Sequence, residues 1–165
     1  MYQHHDESTV LVAARPDEAF AFVDEHAKLS SHMSKRSWMM GGGAMRIETD
    51  AREGKAVGST IRLSGSVLGV RLSVEEVVTE RDPPRRKTWR TVGEPRLLVI
   101  GPYQMGVEIA PRGETSVLRV FIDYAYPTKR LWRWIGGLFG ASYAKWCTRR
   151  MARDAAEHFR KSAGA

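Results

Sequence analysis

The stretch 36–45, RSWMMGGGAM, concentrates side chains that could do chemistry: one Trp, three Met and three consecutive Gly, close behind His32 and Met33. Thioethers and an imidazole are donors that suit Cu(I). The methionines lack an MxM or MxxM repeat, however, and Met more commonly supplies soft, adaptable apolar contact. The glycines lack the Lys-Ser/Thr that completes a phosphate loop, and they lead into a strand rather than a helix, which argues against a phosphate cradle. His32 is the catalytic candidate, because histidine alone titrates unperturbed near neutral pH. A histidine at a helix end is otherwise simply solvated.

Other chemistry is sparse. No GxSxG elbow, Walker loop, HExxH or CxxC occurs in the chain. His4, His5 and Asp6 sit in the charged opening MYQHHDES, which reads as a flexible terminus over 1–7. Cys147 is the single cysteine. A lone thiol, without a signal peptide or a membrane-length apolar run, predicts a reducing, cytoplasmic setting. No metal and no cofactor is expected.

These residues must be positioned by a framework of 165 residues, enough for one domain over 1–165 that buries roughly 70% of its unfolded surface. STVLVAA (8–14) alternates like a strand. ARPDEAFAFVDEHAKL follows with Pro16 in the first turn, Asp17 and Glu18 at the positive end, and Phe20, Val23 and Ala27 at helical spacing. That helix should run to the Ser30-Ser31 region and continue as a second short turn through Met33. From Ala44 the period becomes two: AMRIETD, GSTIRLSGSV, GVRLSVEEVVTE, KTWRTVG, RLLVI, YQMGVEIA and SVLRVFIDYAY all fit strands, separated by turn residues such as Asp82-Pro83-Pro84 and Gly93-Glu94-Pro95. Residues 127–161 are helical again.

The order is strand, two short helices, about six more strands and one long helix: an α+β layout with a curved antiparallel sheet around the C-terminal helix. The opening strand leading into RPDEAFAFVDE, the VEEVVTERDPP strand ending and the amphipathic C-terminal helix resemble the START/polyketide-cyclase (SRPBCC) superfamily, whose fold is the helix grip. The resemblance implies a pocket between sheet and helix. It spans lipid carriers, hormone receptors and aromatase/cyclases, so it implies fold more sharply than function.

One face of each strand is apolar. Leu63, Trp89, Tyr103, Met105, Leu118, Val120, Ile122 and Tyr124 are expected to line the pocket from the sheet. Trp38, Met40 and Met45 would line its mouth, where Gly41–Gly43 form a flexible gate. From the helix, Leu138, Ala141 and Ala144 should contribute. The small stripe Gly137, Ala141, Ala144 and Thr148 is expected to leave room for a ligand rather than to admit close contact. The predicted function is binding or carriage of a small hydrophobic or lipid-like ligand without catalysis. The alternative is a cyclase-, dehydratase- or hydrolase-like enzyme in the same cavity.

Charge defines a second surface. Residues 1–126 carry equal numbers of acids and bases, so the net charge of +7 resides wholly in 127–165. A body-wide basic groove is absent, and nucleic acid is not an expected partner. Trp132, Trp146, Arg149, Arg150 and Arg153 combine aromatic and basic groups as interfacial helices do. A membrane surface or a second copy of the chain would suit that helix.

Overall fold

Runs of alternating residues become strands here because each buries one side in a common core. The structure is a computed structural model and describes residues 1–29, 44–67 and 69–163. Strand β1 (His4–Val12) leads to helices α1 (Pro16–Asp24) and α2 (His26–Leu29). Strands β2 (Ala44–Thr49), β3 (Thr60–Val67), β4 (Val70–Asp82), β5 (Arg86–Arg96), β6 (Tyr103–Arg112) and β7 (Thr115–Tyr124) follow, then helix α3 (Arg130–Ala163). The seven strands form one antiparallel sheet in the order β1-β7-β6-β5-β4-β3-β2. Strands β2 to β7 are thus a continuous meander, and β1 closes onto β7. This is the α+β helix grip, with the core between the concave face and the helices.

Two boundaries differ from expectation. Strand β1 begins at His4 rather than at Ser8, because His4–Glu7 pair with Phe121–Tyr124. His5 is held by Asp123 at 2.7 Å and by Glu7 at 3.1 Å, so the histidines of 1–7 belong to a sheet edge rather than to a flexible tail. The run RLLVI is not a separate strand. Strand β5 continues through Gly93-Glu94-Pro95 as an irregularity, with the register to β4 jumping between Glu75↔Val92 and Ser73↔Arg96. Gly93 takes φ +66°, which accommodates that bulge. Residues 97–100 then leave the sheet and pack under α3.

The buried stripe of α3 runs through Gly136, Gly140, Ala144, Cys147, Thr148, Met151 and Ala155. Thr148 donates to Asp6 Oδ1 at 2.7 Å and fastens the helix to β1. In its first two turns the stripe lies one residue earlier than expected, on Gly136 and Gly140 rather than Gly137 and Ala141. A Cβ at Gly136 or at Gly140 would stand 2.9 Å from the Val99 carbonyl oxygen, whereas one at Gly137 would meet nothing within 4 Å. The glycines therefore serve close approach of the 97–100 segment, not ligand space.

That contrast predicts opposite outcomes on the same helix. Gly137→Ala gains helix propensity at an open site and should raise stability by about 1 kcal/mol. Gly140→Ala forces Val99 away, at an overpacking cost of about 1–3 kcal/mol that cancels or exceeds the same gain. Chemical denaturation of the two variants measures the difference directly.

Candidate functional site

The site is built outward from a buried cation. Lys87 on β5 is fully inaccessible, and its ammonium donates to the backbone carbonyl of Asp24 at 2.8 Å and to its carboxylate at 3.0 Å. Arg81 on β4 reaches the same carboxylate at 2.8 Å. Its guanidinium also covers the Phe20 ring at 5.6 Å. Asp24 is the last residue of α1, so the two cations meet both a side chain and the negative end of a helix. Burial works to raise the Asp24 pKa, but the hydrogen bonds from Arg81 and Lys87 overcome it and hold the carboxyl below its ordinary 3.8. Burial lowers the Lys87 pKa, and the Asp24 carboxylate offsets this only in part.

This clamp fixes the chain just before His26, which turns into the interior. His26 Nε2 lies 3.2 Å from Glu76 Oε2, and the two side chains are only 2% and 3% exposed. The His26 ring stands edge-on to Trp89, with centroids 5.2 Å apart. On the far side of Glu76, the Tyr103 hydroxyl donates to Oε1. Burial, reinforced by the Glu76 charge, raises the Tyr103 pKa well above 10, so the phenol keeps its proton. A carboxyl between an imidazole and a phenol thus sits in surroundings that are otherwise apolar. Such a group is expensive to bury unless each partner is in place.

Glu76, Trp89, Tyr103 and Met105 line an interior cavity together with Tyr143, Cys147 and Met151 of α3. Its volume is about 30 Å³, room for one water. A larger cleft of about 360 Å³ opens at the end of the sheet, between the β3–β4 hairpin, residues 94–98 and the start of α3, with Lys129 and Trp132 on its rim. Leu97 borders both spaces. One half-buried leucine on a segment outside the sheet is therefore shared by the cleft and the polar interior. Cys147 is no nucleophile: burial pushes its thiol up to about 12, and the hydrogen bond with Tyr143 only moderates this.

The residues expected from the sequence divide into four groups. Leu63, Trp89, Tyr103, Met105 and Ile122 line the cavity. Met45, Leu118, Val120, Tyr124 and Ala144 are buried in the core away from its lining. Leu138 is exposed, and so is Ala141, because the helix phase is set by Gly136 and Gly140. His32, Trp38, Met40 and Gly41–Gly43 lie outside the described residues. The expectations missed Glu76, His26, Lys87 and Leu97. For Glu76 the signal was present: it shares parity with Val74 and Val78 on the apolar side of its strand, while Glu75 faces out to Arg62 at 2.9 Å. Lys87 likewise shares parity with Trp89.

Comparison with known proteins agrees with this architecture. Residues 3–164 match the family model described as polyketide cyclase/dehydrase and lipid transport, and the chain belongs to that family. No curated protein matches the sequence. Among solved structures, the Zhui aromatase/cyclase from Streptomyces is 13% identical with a TM-score of 0.73, over 97% of this chain and 95% of that one. A Thermus thermophilus protein is 14% identical with a TM-score of 0.70, over 97% and 99%. Norcoclaurine synthase from Thalictrum flavum is 14% identical with a TM-score of 0.62, over 93% and 84%. At these identities the likeness is one of fold.

Two outcomes follow from the site's electrostatics. Asp24→Asn leaves a buried ammonium uncompensated and should destabilise the fold by about 3–5 kcal/mol. The folded Asp24 carboxyl titrates below the unfolded 3.8, so its stabilisation is complete above that value and disappears as pH falls through the lower folded one. Acid titration of the two proteins should show that component only in the wild type. Alkylation of native Cys147 at pH 8 should run about a thousandfold slower than in the unfolded chain, following its thiolate fraction.

Proposed function

We propose that this member of the polyketide cyclase/dehydrase and lipid-transport family binds a small, largely apolar molecule bearing one hydroxyl or carbonyl group. The polar end would meet Glu76 and Tyr103, and the apolar body would extend past Leu97 toward the outer cleft. The supporting observation is a buried carboxyl–phenol–imidazole set inside an apolar interior, one leucine away from a 360 Å³ cleft. The cleft reaches the size range of small-molecule sites. The cavity at about 30 Å³ does not, so uptake requires Leu97 and the unpaired 97–100 segment to move aside. Met105 and Met151 on the cavity wall can repack around varied shapes.

Proton transfer at the same place is the second reading. The observation favouring it is that Glu76, which lines the cavity, has the His26 imidazole 3.2 Å from its Oε2 and the Tyr103 hydroxyl on its Oε1, so groups able to take and give a proton stand side by side there. A carbonyl compound seated there would have a base and a phenol donor within reach.

Binding of 2-naphthol and of naphthalene, followed by calorimetry, separates these ideas from a solid core. The wild type should prefer the hydroxyl compound at least about tenfold, the worth of one hydrogen bond to a charged group. Glu76→Met, and separately Tyr103→Phe, should abolish the preference while retaining a cooperative unfolding transition. Uptake of neither compound, or equal uptake of both, contradicts the reading. Deuterium exchange next to the carbonyl of 2-tetralone tests the second one: acceleration lost in Glu76→Met supports catalysis, and an unaccelerated rate rejects it.

A further inference from the structure

We infer that the first half of α3 is a docking face for an anionic phospholipid surface. Four large apolar side chains stand out from it: Leu131, Trp134, Leu138 and Phe139 are 66%, 70%, 56% and 56% exposed. Leu131, Trp134 and Leu138 recur at i, i+3 and i+7, on the side of the helix opposite Gly136 and Gly140. Lys145 and Arg149 continue the same line toward the C-terminus and are exposed, as are Lys129, Arg130 and Arg133 at its start. No acidic residue occurs between Asp123 and Asp154. The face is therefore an apolar ridge whose own segment supplies only cations, with Glu94, which accepts from Thr128, the one acid bonded beside its start among the described residues.

That charge selects the occupant. A second copy docking by the same face would set these cations against each other. An anionic bilayer supplies both complements, phosphates for the Lys and Arg side chains and an apolar boundary for Trp134, Leu138 and Phe139. Insertion across the bilayer does not apply, since no helix among the described residues is long and apolar enough to cross a membrane. The surface differs from the one expected from sequence. Trp146 is half-buried and packs near Tyr143, Arg150 is tied to Asp154 at 3.1 Å, and Trp132 borders the cleft. Leu131 and Trp134 take their place. Because Lys129 and Trp132 lie on the rim of the cleft, docking would bring its mouth to the lipid surface. The inference stands on the exposed face alone and does not depend on what the interior binds.

Co-sedimentation with vesicles of phosphatidylcholine, with and without an equal part of phosphatidylglycerol, tests it. Partitioning should be at least about tenfold stronger on the anionic vesicles and should weaken in 0.5 M salt. Trp134→Ser with Leu138→Ser, both at exposed positions, should lower it at least about tenfold without shifting the thermal midpoint downward, and Arg133→Glu with Lys145→Glu should do the same. Absence of binding, equal binding to both vesicles, or binding indifferent to the Trp134 and Leu138 substitutions would overturn the inference. So would a solution dimer that those two substitutions dissolve.

Discussion

A lysine ammonium buried without access to water must be compensated where it stands, and Lys87 is compensated at the end of α1. The consequence is geometric as well as energetic. Asp24 accepts from Lys87 through its backbone as well as its side chain, so the helix terminus itself is located relative to β5. Arg81 adds a second strand to the same anchor. Two residues further on, His26 has little freedom and is delivered to Glu76. Without those charges α1 would be held by the buried Ala19, Phe20 and Val23 and by Phe22, which stacks on His158 of α3.

The interior that results has unlike halves. Toward β1 and β7 it is filled: Leu118, Val120 and Tyr124 are buried, and Thr148 of α3 is bonded to Asp6. Toward β4, β5 and β6 it holds Glu76, Tyr103 and a small void, with the strandless segment 97–100 between that void and the outer cleft. Rigidity on one side and an unpaired segment on the other is what a binding site needs, since only the second can yield at little cost. Gly136 and Gly140 let α3 approach that segment closely, since a Cβ at either would stand 2.9 Å from the Val99 carbonyl oxygen.

Much of the fold was legible in the sequence because a sheet with one buried face must alternate. SVLRVFIDYAY and YQMGVEIA each show which side chains turn inward. The fold was misread where local composition and long-range packing disagree. RLLVI looks like a strand, yet the β5–β6 ladder ends at Arg90↔Gln104 and the β4–β5 ladder at Ser73↔Arg96, so residues 97–100 have no sheet partner and turn to α3 instead. In IGGLFGA the glycine pair leaves the helix phase undefined by one residue, and Val99, Tyr126 and Pro127 across the interface settle it. The site was less legible than the fold. Its determinants are polar residues at apolar parity, Glu76 and Lys87, whose partners His26, Tyr103 and Asp24 lie 27 to 63 residues away. No local window connects them.

The central claim is that the space around Glu76 opens past Leu97 to admit a ligand. The most direct measurement is the NMR spectrum of the methionine methyl groups as 2-naphthol is added, because Met105 and Met151 line the cavity whereas Met1 is fully exposed. The Met105 and Met151 resonances should shift together and saturate, while Met1 stays still. If they remain unmoved at saturating probe, the interior is a closed core and the account is wrong.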